Sequence, residues 1–291
     1  MIAAEAEIKL PNQAFSRRSL ARQRAALAHA TLSDCHLCER HCGVNRLTGE
    51  RGVCQARDTA QIFSAQIEVS DELELIPTFA IAFSGCDLRC AFCITGRESW
   101  NPLAGKPLDK IAIAGRAMAA VNEGHARTIM ILGGEPTIHL PDVLQLVSML
   151  PEDAKLIWKT NAHASAQARE FIDGIFDVWL ADYKFGNDTC AQRLALVPNY
   201  NEIVRKNLLW ANEHSELIVR HLVMPGHVEC CWKPVAQWLA GNLPEVKVNL
   251  RTGFWPAWKA HKHSELCATT SRSESQIARV IAREHRLNLI E

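Results

Sequence analysis

Six short apolar runs recur between residues 78 and 250, and stretches with helical periodicity fill the intervals between them. The runs are TFAIAFSG (78–85), RTIMIL (127–132), KLIWKT (155–160), FDVWLA (176–181), ELIVRHLV (216–223) and VKVNL (246–250). They are apolar throughout rather than alternating, which is the pattern of a parallel sheet covered on both faces. The helical stretches are 109–124, 141–150, 166–172, parts of 188–212 and 231–240, and 273–285. In the first of these, Asp109 is placed to cap the start and Gly124 to stop the end, with Ile111, Ala114, Met118 and Val121 on the apolar face. Pro141 suits the first turn of the next. A closed eight-stranded barrel takes about 250 residues, so this span predicts a partial barrel of about six βα units. A flat, doubly wound sheet would show the same periodicity.

In both architectures, chemistry collects where strands end. The first run leads into GCDLRCAFC (85–93) and the second into GGEP (133–136). The others lead into KTNAH (159–163), ADYKFG (181–186), VRHLVMPG (219–226) and NLRTGFWP (249–256). Polar residues, Gly and Pro gather at these ends, as on an active-site rim. Trp100, Trp255 and Trp258 are candidates for a substrate mouth, although large aromatics more often simply pack.

The chain carries 11 cysteines, and seven of them fall in two patches. Its 291 residues are too many for a disulfide-held mini-protein, and the opening MIAAEAEIKLPNQ lacks the basic-then-apolar order of a secretory signal. Clustered cysteines in a reducing compartment point to metal, and a cytoplasmic location is the expectation. With 32 basic and 32 acidic residues the chain lacks the positive excess that nucleic acid or a membrane surface would require. No run is long and apolar enough to span a bilayer.

Cys86, Cys90 and Cys93 follow the spacing Cys-x3-Cys-x2-Cys. A 4Fe–4S cluster that only carries electrons takes four cysteines, so three on one loop leave an iron open to a substrate. Zinc pairs use a different spacing, two Cys-x2-4-Cys units set far apart. Cys35, Cys38, Cys42 and Cys54 form the other patch, a full ligand set for zinc or for an auxiliary Fe–S cluster. Gly43, Gly49 and Gly52 let that loop turn back, while His36 and His41 are candidate substitute ligands expected to be exposed. Cys190, Cys230, Cys231 and Cys267 lie outside both patches and read as small buried hydrophobes.

GCDLRCAFC, with Phe92 as its aromatic, resembles the Cys-x3-Cys-x-aromatic-Cys motif of radical S-adenosylmethionine (SAM) enzymes. The resemblance implies a 4Fe–4S cluster on Cys86, Cys90 and Cys93, with SAM chelating the open iron. It also implies one-electron cleavage of SAM to a 5′-deoxyadenosyl radical that abstracts hydrogen. GGEP resembles the family's second motif, so Gly133, Gly134 and Glu135 would hold the SAM amino group. LADYKFG, IVRHLVMPG and GGEPTIHLP resemble the pyruvate formate-lyase activating enzyme group, particularly its PflX-like relatives. That match implies Asp182, Lys184 and Arg220 near SAM, together with Asn161 of KTNAH. The group has glycine where Ala162 stands, asparagine where Thr95 stands, and a different ending from GFWP.

The expected organisation is an N-terminal helical arm (1–30) whose ordered part is a basic helix from 16 to about 30, a cysteine-rich metal-binding segment (31–70) and a radical SAM (β/α)6 core with a C-terminal helix (71–291). The function implied is that of an activating-enzyme-like oxidoreductase acting on an unidentified substrate, with a protein or peptide among the candidates and a flavodoxin or ferredoxin as electron donor. No side chain is assigned as a catalytic acid, base or nucleophile. The alternative is a metal-bearing regulatory or interaction protein without SAM chemistry.

Overall fold

A computed structural model describes residues 16–70 and 72–290. The opening segment read for a signal, and the first half of the expected arm, lie outside the described residues.

All six apolar runs form strands: β2 (Thr78–Phe83), β4 (Thr128–Gly133), β5 (Lys155–Thr160), β6 (Val178–Asp182), β7 (Glu216–Leu222) and β8 (Lys247–Arg251). They lie parallel and in chain order. Three further strands extend the sheet. β1 (Gln61–Glu68) runs antiparallel to β2, β3 (Lys106–Pro107) pairs with β1, and β9 (Asn288–Ile290) lies parallel beside β8. β3 and β9 are the two edges of this nine-stranded sheet and do not pair, so it remains open.

The sheet curls. Met130, Ile157, Val178, Leu180 and Ile218, from four strands, close around Leu75, which is fully buried. A flat sheet would not bring β4 and β7 side chains around one residue, so the partial barrel is the architecture. Leu75 enters from the loop before β2 and fills the end where the strands begin. Truncating such a plug to Ala typically costs about 2–5 kcal/mol. On the opposite face, Trp158 and Trp179 belong to the layer that packs under the helices.

The expected helices are present as α3 (Lys110–Asn122), α4 (Leu140–Val147), α5 (Ala166–Ile172), α6 (Asp188–Ala195), α7 (Tyr200–His214), α8 (Lys233–Asn242) and α9 (Arg272–Glu284), with a short α2 (Arg97–Trp100) after the cysteine loop. Asp109 does cap α3, accepting from the Ala112 N–H at 3.0 Å. Its buried face is only partly the expected one: Ala114 is buried and Val121 packs against the core, but the other two are not. Ile113, Ala114, Ala117 and Ala120 face the core, while Ile111 is 78% exposed and Met118 is exposed. The helix is apolar nearly all round, so periodicity alone did not select the face.

The basic segment forms α1 (Arg17–Ala30), with Ala21, Ala25 and Ala28 buried at helical spacing. It packs on α4 and α5. Small side chains allow close approach, and Arg17 pairs with Asp177 at 2.8 Å.

Candidate functional site

A cavity of about 800 Å³ opens at the C-terminal ends of the parallel strands. Its wall includes Cys86, Cys90, Phe92, Cys93, Thr95, Gly133, Gly134, Asn161, Asp182, Lys184 and Arg220, which arrive from β2, β4, β5, β6 and β7. The volume lies in the usual range for small-molecule and cofactor sites. Every expected cofactor-binding residue except Glu135 is in this wall.

The cysteine loop is built on Gly85. Its φ of +85° suits glycine, and a Cβ there would meet Pro102 at 2.7 Å. Cys86 and Cys90 are buried and Cys93 is half-buried. Burial pushes the Cys90 thiol up to about 12 and the Cys86 thiol well above its ordinary value. A bound cation would therefore have to draw the protons off these sulfurs. Phe92 packs edge-on against Phe185 at 6.0 Å and near Phe254 at 6.1 Å, tying the loop to the ends of β6 and β8. Thr95, at the position of the resemblance's asparagine, sits 3.3 Å from the Cys93 sulfur.

The two glycines after β4 serve backbone packing. A Cβ on Gly133 would lie 2.1 Å from the Phe83 carbonyl oxygen, and one on Gly134 would lie 2.0 Å from that of Gly85. They let the β4 end press against the root of the cysteine loop while presenting backbone to the cavity. Glu135 points away from that wall. Its carboxylate accepts from the Thr137 N–H (3.1 Å) and hydroxyl (2.6 Å), the Thr160 hydroxyl (2.9 Å) and the Asn161 N–H (2.7 Å). Burial, and then Asp87, push this carboxyl up to about 7 against those donors. It stitches the β4 and β5 ends together.

Strand register sets Asp182 directly beside Arg220. Arg220 Nε donates to Asp182 Oδ1 at 2.9 Å and Lys184 Nζ to Oδ2 at 2.5 Å. Burial pushes the Asp182 carboxyl up, yet Lys184 and Arg220 win and hold it well below the usual carboxylate range. The result is a fixed ionic edge of the cavity.

Asn161 has a second task. Its amide donates to Asp87 Oδ1 at 2.7 Å and stands 3.6 Å from the Cys86 sulfur. Asp87 is fully buried, and its other oxygen lies 2.6 Å from His163 Nδ1. Burial pushes Asp87 up, but His163 and then Asn161 bring it below its ordinary value. This Asp87–His163 pair was not singled out in the sequence. An aspartate inside a cysteine motif, with a histidine two residues beyond Asn161, was the available signal. Ala162, between them, is held at φ +58°, in the left-handed region that favours the glycine found there in the resembling group.

The four-cysteine patch docks against this same corner. Glu39 N–H bonds the His163 carbonyl at 3.1 Å, Ser165 N–H that of Leu37 at 3.1 Å, and Arg40 Nε the Asp87 carbonyl at 3.1 Å. Burial raises the Cys38 thiol, followed by Asp87 and Cys54. Gly52 packs against Cys42, where a Cβ would come within 2.6 Å of the sulfur. His36 and His41 face outward, paired with Asp34 at 3.0 Å and Glu39 at 2.9 Å. Trp100 and Trp255 line the cavity. Trp258 does not, and packs on Trp100 with ring centres 6.0 Å apart.

The remaining cysteines correct the sequence reading. Cys190 and Cys231 are buried as expected, but Cys230 and Cys267 are exposed. Three of the four also converge on one point, described below.

A partly closed βα barrel with three thiols facing a cavity at its strand ends defines a cluster-bearing cofactor enzyme. Residues 81–239 match the model of the Radical SAM superfamily, and the chain belongs to that superfamily. Its cofactors are accordingly a 4Fe–4S cluster and S-adenosylmethionine. The chain is 31% identical over 274 residues to the uncharacterized protein MJ0674 of Methanocaldococcus jannaschii, a match covering 91% of this chain and 78% of that one. A shorter stretch of 81 residues is 33% identical to 7-carboxy-7-deazaguanine synthase of Bacteroides thetaiotaomicron, covering 28% and 38% of the two chains. Among solved structures, Streptococcus suis SuiB bound to S-adenosylmethionine superposes with a TM-score of 0.50 at 18% identity, over 70% of this chain and 47% of SuiB. The chain thus spans under half of SuiB, and the likeness is one of fold. Among the described residues, no helix is long and apolar enough to cross a membrane.

Proposed function

We propose that Cys86, Cys90 and Cys93 hold the cluster and that the cavity wall around them seats SAM for hydrogen abstraction from a polypeptide substrate. The observation that carries this reading is the shared wall: three cysteines of one loop, two backbone-presenting glycines and the Asp182–Lys184–Arg220 set face a single cavity. The donor chemistry suits the pair, since three soft thiolates leave one iron open. When bound, the pair supplies one-electron cleavage of a sulfonium C–S bond and hydrogen abstraction.

The chain's own residues bind, orient and exclude water. Gly133 and Gly134 offer backbone to an ammonium group, and Lys184 and Arg220 offer charge to a carboxylate, with Asp182 fixing both. Asn161 steadies Cys86 from behind. Phe92, Phe185 and Phe254 keep the floor of the loop apolar. The motif resemblance to activating enzymes, and Trp255 lying 56% exposed in the cavity wall, support a polypeptide reaching in past Trp100. A flavodoxin or ferredoxin would supply the electron. The patch of Cys35, Cys38, Cys42 and Cys54 would hold an auxiliary Fe–S cluster or zinc against the same corner.

Anaerobic protein reconstituted with iron, sulfide, SAM and dithionite should form 5′-deoxyadenosine. None from a fully loaded cluster would defeat the reading. A deuterated peptide mixture should pass label into that product; failure to do so while a small molecule succeeds would defeat the polypeptide part alone.

A further inference from the structure

Cys190, His227, Cys230 and Cys231 place their ligand atoms within 4.8 Å of one another. Three sulfurs surround a single imidazole nitrogen: His227 Nδ1 lies 3.6 Å from Cys190 Sγ, 3.4 Å from Cys230 Sγ and 3.5 Å from Cys231 Sγ. The Cys230 and Cys231 sulfurs are 3.9 Å apart. One N–H proton cannot serve three sulfurs equally, whereas an ion at their centre can. A tetrahedral zinc with Zn–S of about 2.3 Å and Zn–N of about 2.05 Å sets S···S edges of about 3.8 Å and S···N edges of about 3.5 Å. The three S···N distances and the Cys230–Cys231 distance match edges of that tetrahedron, and the two remaining S···S distances, from Cys190, lie within 4.8 Å. We propose that these four side chains form a structural zinc site separate from the SAM cavity.

The surroundings are built for it. Cys190 sits in the first turn of α6, beyond β6, and the other three ligands sit beyond β7. Residues 228–232 form a π-helical turn, with the N–H groups of Cys231 and Trp232 both reaching the His227 carbonyl. This wide turn brings two consecutive cysteines to the same centre. Gly186 leaves room for it, since a Cβ there would strike the Cys231 carbonyl oxygen at 2.2 Å. Asn187 caps α6 and turns its amide to within 3.3 Å of Cys190 Sγ and 3.8 Å of Cys231 Sγ, donors suited to thiolate charge. The other histidine nitrogen, Nε2, faces Glu265 at 3.8 Å, the carboxylate–histidine pairing common behind zinc.

Four protein ligands close the coordination shell, so the site is structural rather than catalytic. In an iron–sulfur cluster the thiolates bind different irons; here all four atoms share one centre. Binding releases the thiol protons, and three thiolates with one neutral imidazole leave the zinc centre with a single negative charge. The site also braces the cysteine loop. At the far end of α6, the carbonyls of Ala195 and Leu194 accept the N–H groups of Arg89 and Ala91 at 3.0 and 2.8 Å. The zinc assignment does not rest on how the cavity is used.

The intact 291-residue chain, supplemented with zinc, tests it by thiol alkylation, with Cys267 as internal reference, because Cys230 and Cys267 are both exposed. Cys230 should label at least tenfold more slowly than Cys267, and a zinc chelator should abolish the difference. Equal labelling with zinc present, or a disulfide among Cys190, Cys230 and Cys231, would overturn the site. Cys190→Ser should also lose one zinc per chain, and unchanged zinc content would overturn it too. Should that variant not fold, the labelling of the natural chain decides.

Discussion

The cysteine loop and the Cys190–His227–Cys230–Cys231 group lie on the same rim and are opposite in design. The loop sets three thiols along one contiguous segment, facing an 800 Å³ cavity. The group draws four atoms from two separate connections around one point, all within 4.8 Å of one another. An incomplete ligand set facing room for another molecule makes a reactive centre. A complete set facing inward makes a clasp. Thiol count does not separate the two; what separates them is whether the ligand shell is filled by the protein.

The sharpest break in this contrast is Cys90→Ala. It should abolish 5′-deoxyadenosine formation and leave zinc content unchanged, read by product analysis and elemental analysis of the same sample. Cys190→Ser should do the reverse, with zinc lost and product reduced rather than abolished.

Next in size is Asp182→Asn. It leaves Lys184 and Arg220 without their shared anion and should weaken SAM binding about ten- to a hundredfold, measured by equilibrium dialysis. Because Lys184 and Arg220 hold this carboxyl below its ordinary value of 3.8, its contribution to stability is complete above that pH and is lost as pH falls below it. The natural chain should therefore lose more stability than the variant on acidification past that point.

At the clasp, Glu265→Gln leaves the four ligands intact. It should lower zinc affinity about tenfold, as loss of a partner behind a metal-bound histidine does. Competition with a chromogenic chelator measures it, and unchanged affinity would detach Glu265 from the site.

Glu135 gives a milder effect. Its carboxyl is raised from 4.5 to about 7, so the folded chain holds a proton the unfolded chain has released. Stability is greatest below the lower value and declines as pH rises through the upper one. Glu135→Gln should flatten the thermal midpoint across that range; an unchanged slope would remove Glu135 as its source. Smallest is Ala162→Gly. Relief of left-handed strain, about 1 kcal/mol, nearly cancels the added freedom of glycine when unfolded. The net change should stay within about 0.5 kcal/mol by denaturant titration.

The contrast also explains what the sequence reveals. TFAIAF and KLIWKT are strands in any reading because both faces are covered. QIFSAQIE is not, because β1 lies near the open edge and mixes buried with half-buried residues. The cysteine loop is legible because all its ligands fall within nine positions. The clasp is not, because Cys190 and Cys231 lie 41 positions apart in number and meet only once β6 and β7 are paired. The inward turn of Glu135 and the Asp87–His163 pair are equally matters of tertiary placement. Asp182 beside Arg220 is legible only to a reader who already knows the strand register.

The docking of residues 37–46 has a practical corollary. Arg40 and Glu39 cover Asp87 and His163, while Arg46 reaches the Ile138 carbonyl at 2.8 Å. A shortened chain starting at residue 81 would strip this cover, along with β1, Leu75 and part of β2, and wet the Asp87–His163 contact that is now dry. Expression work should keep the leading residues, because a fragment without them loses packing for reasons unrelated to iron.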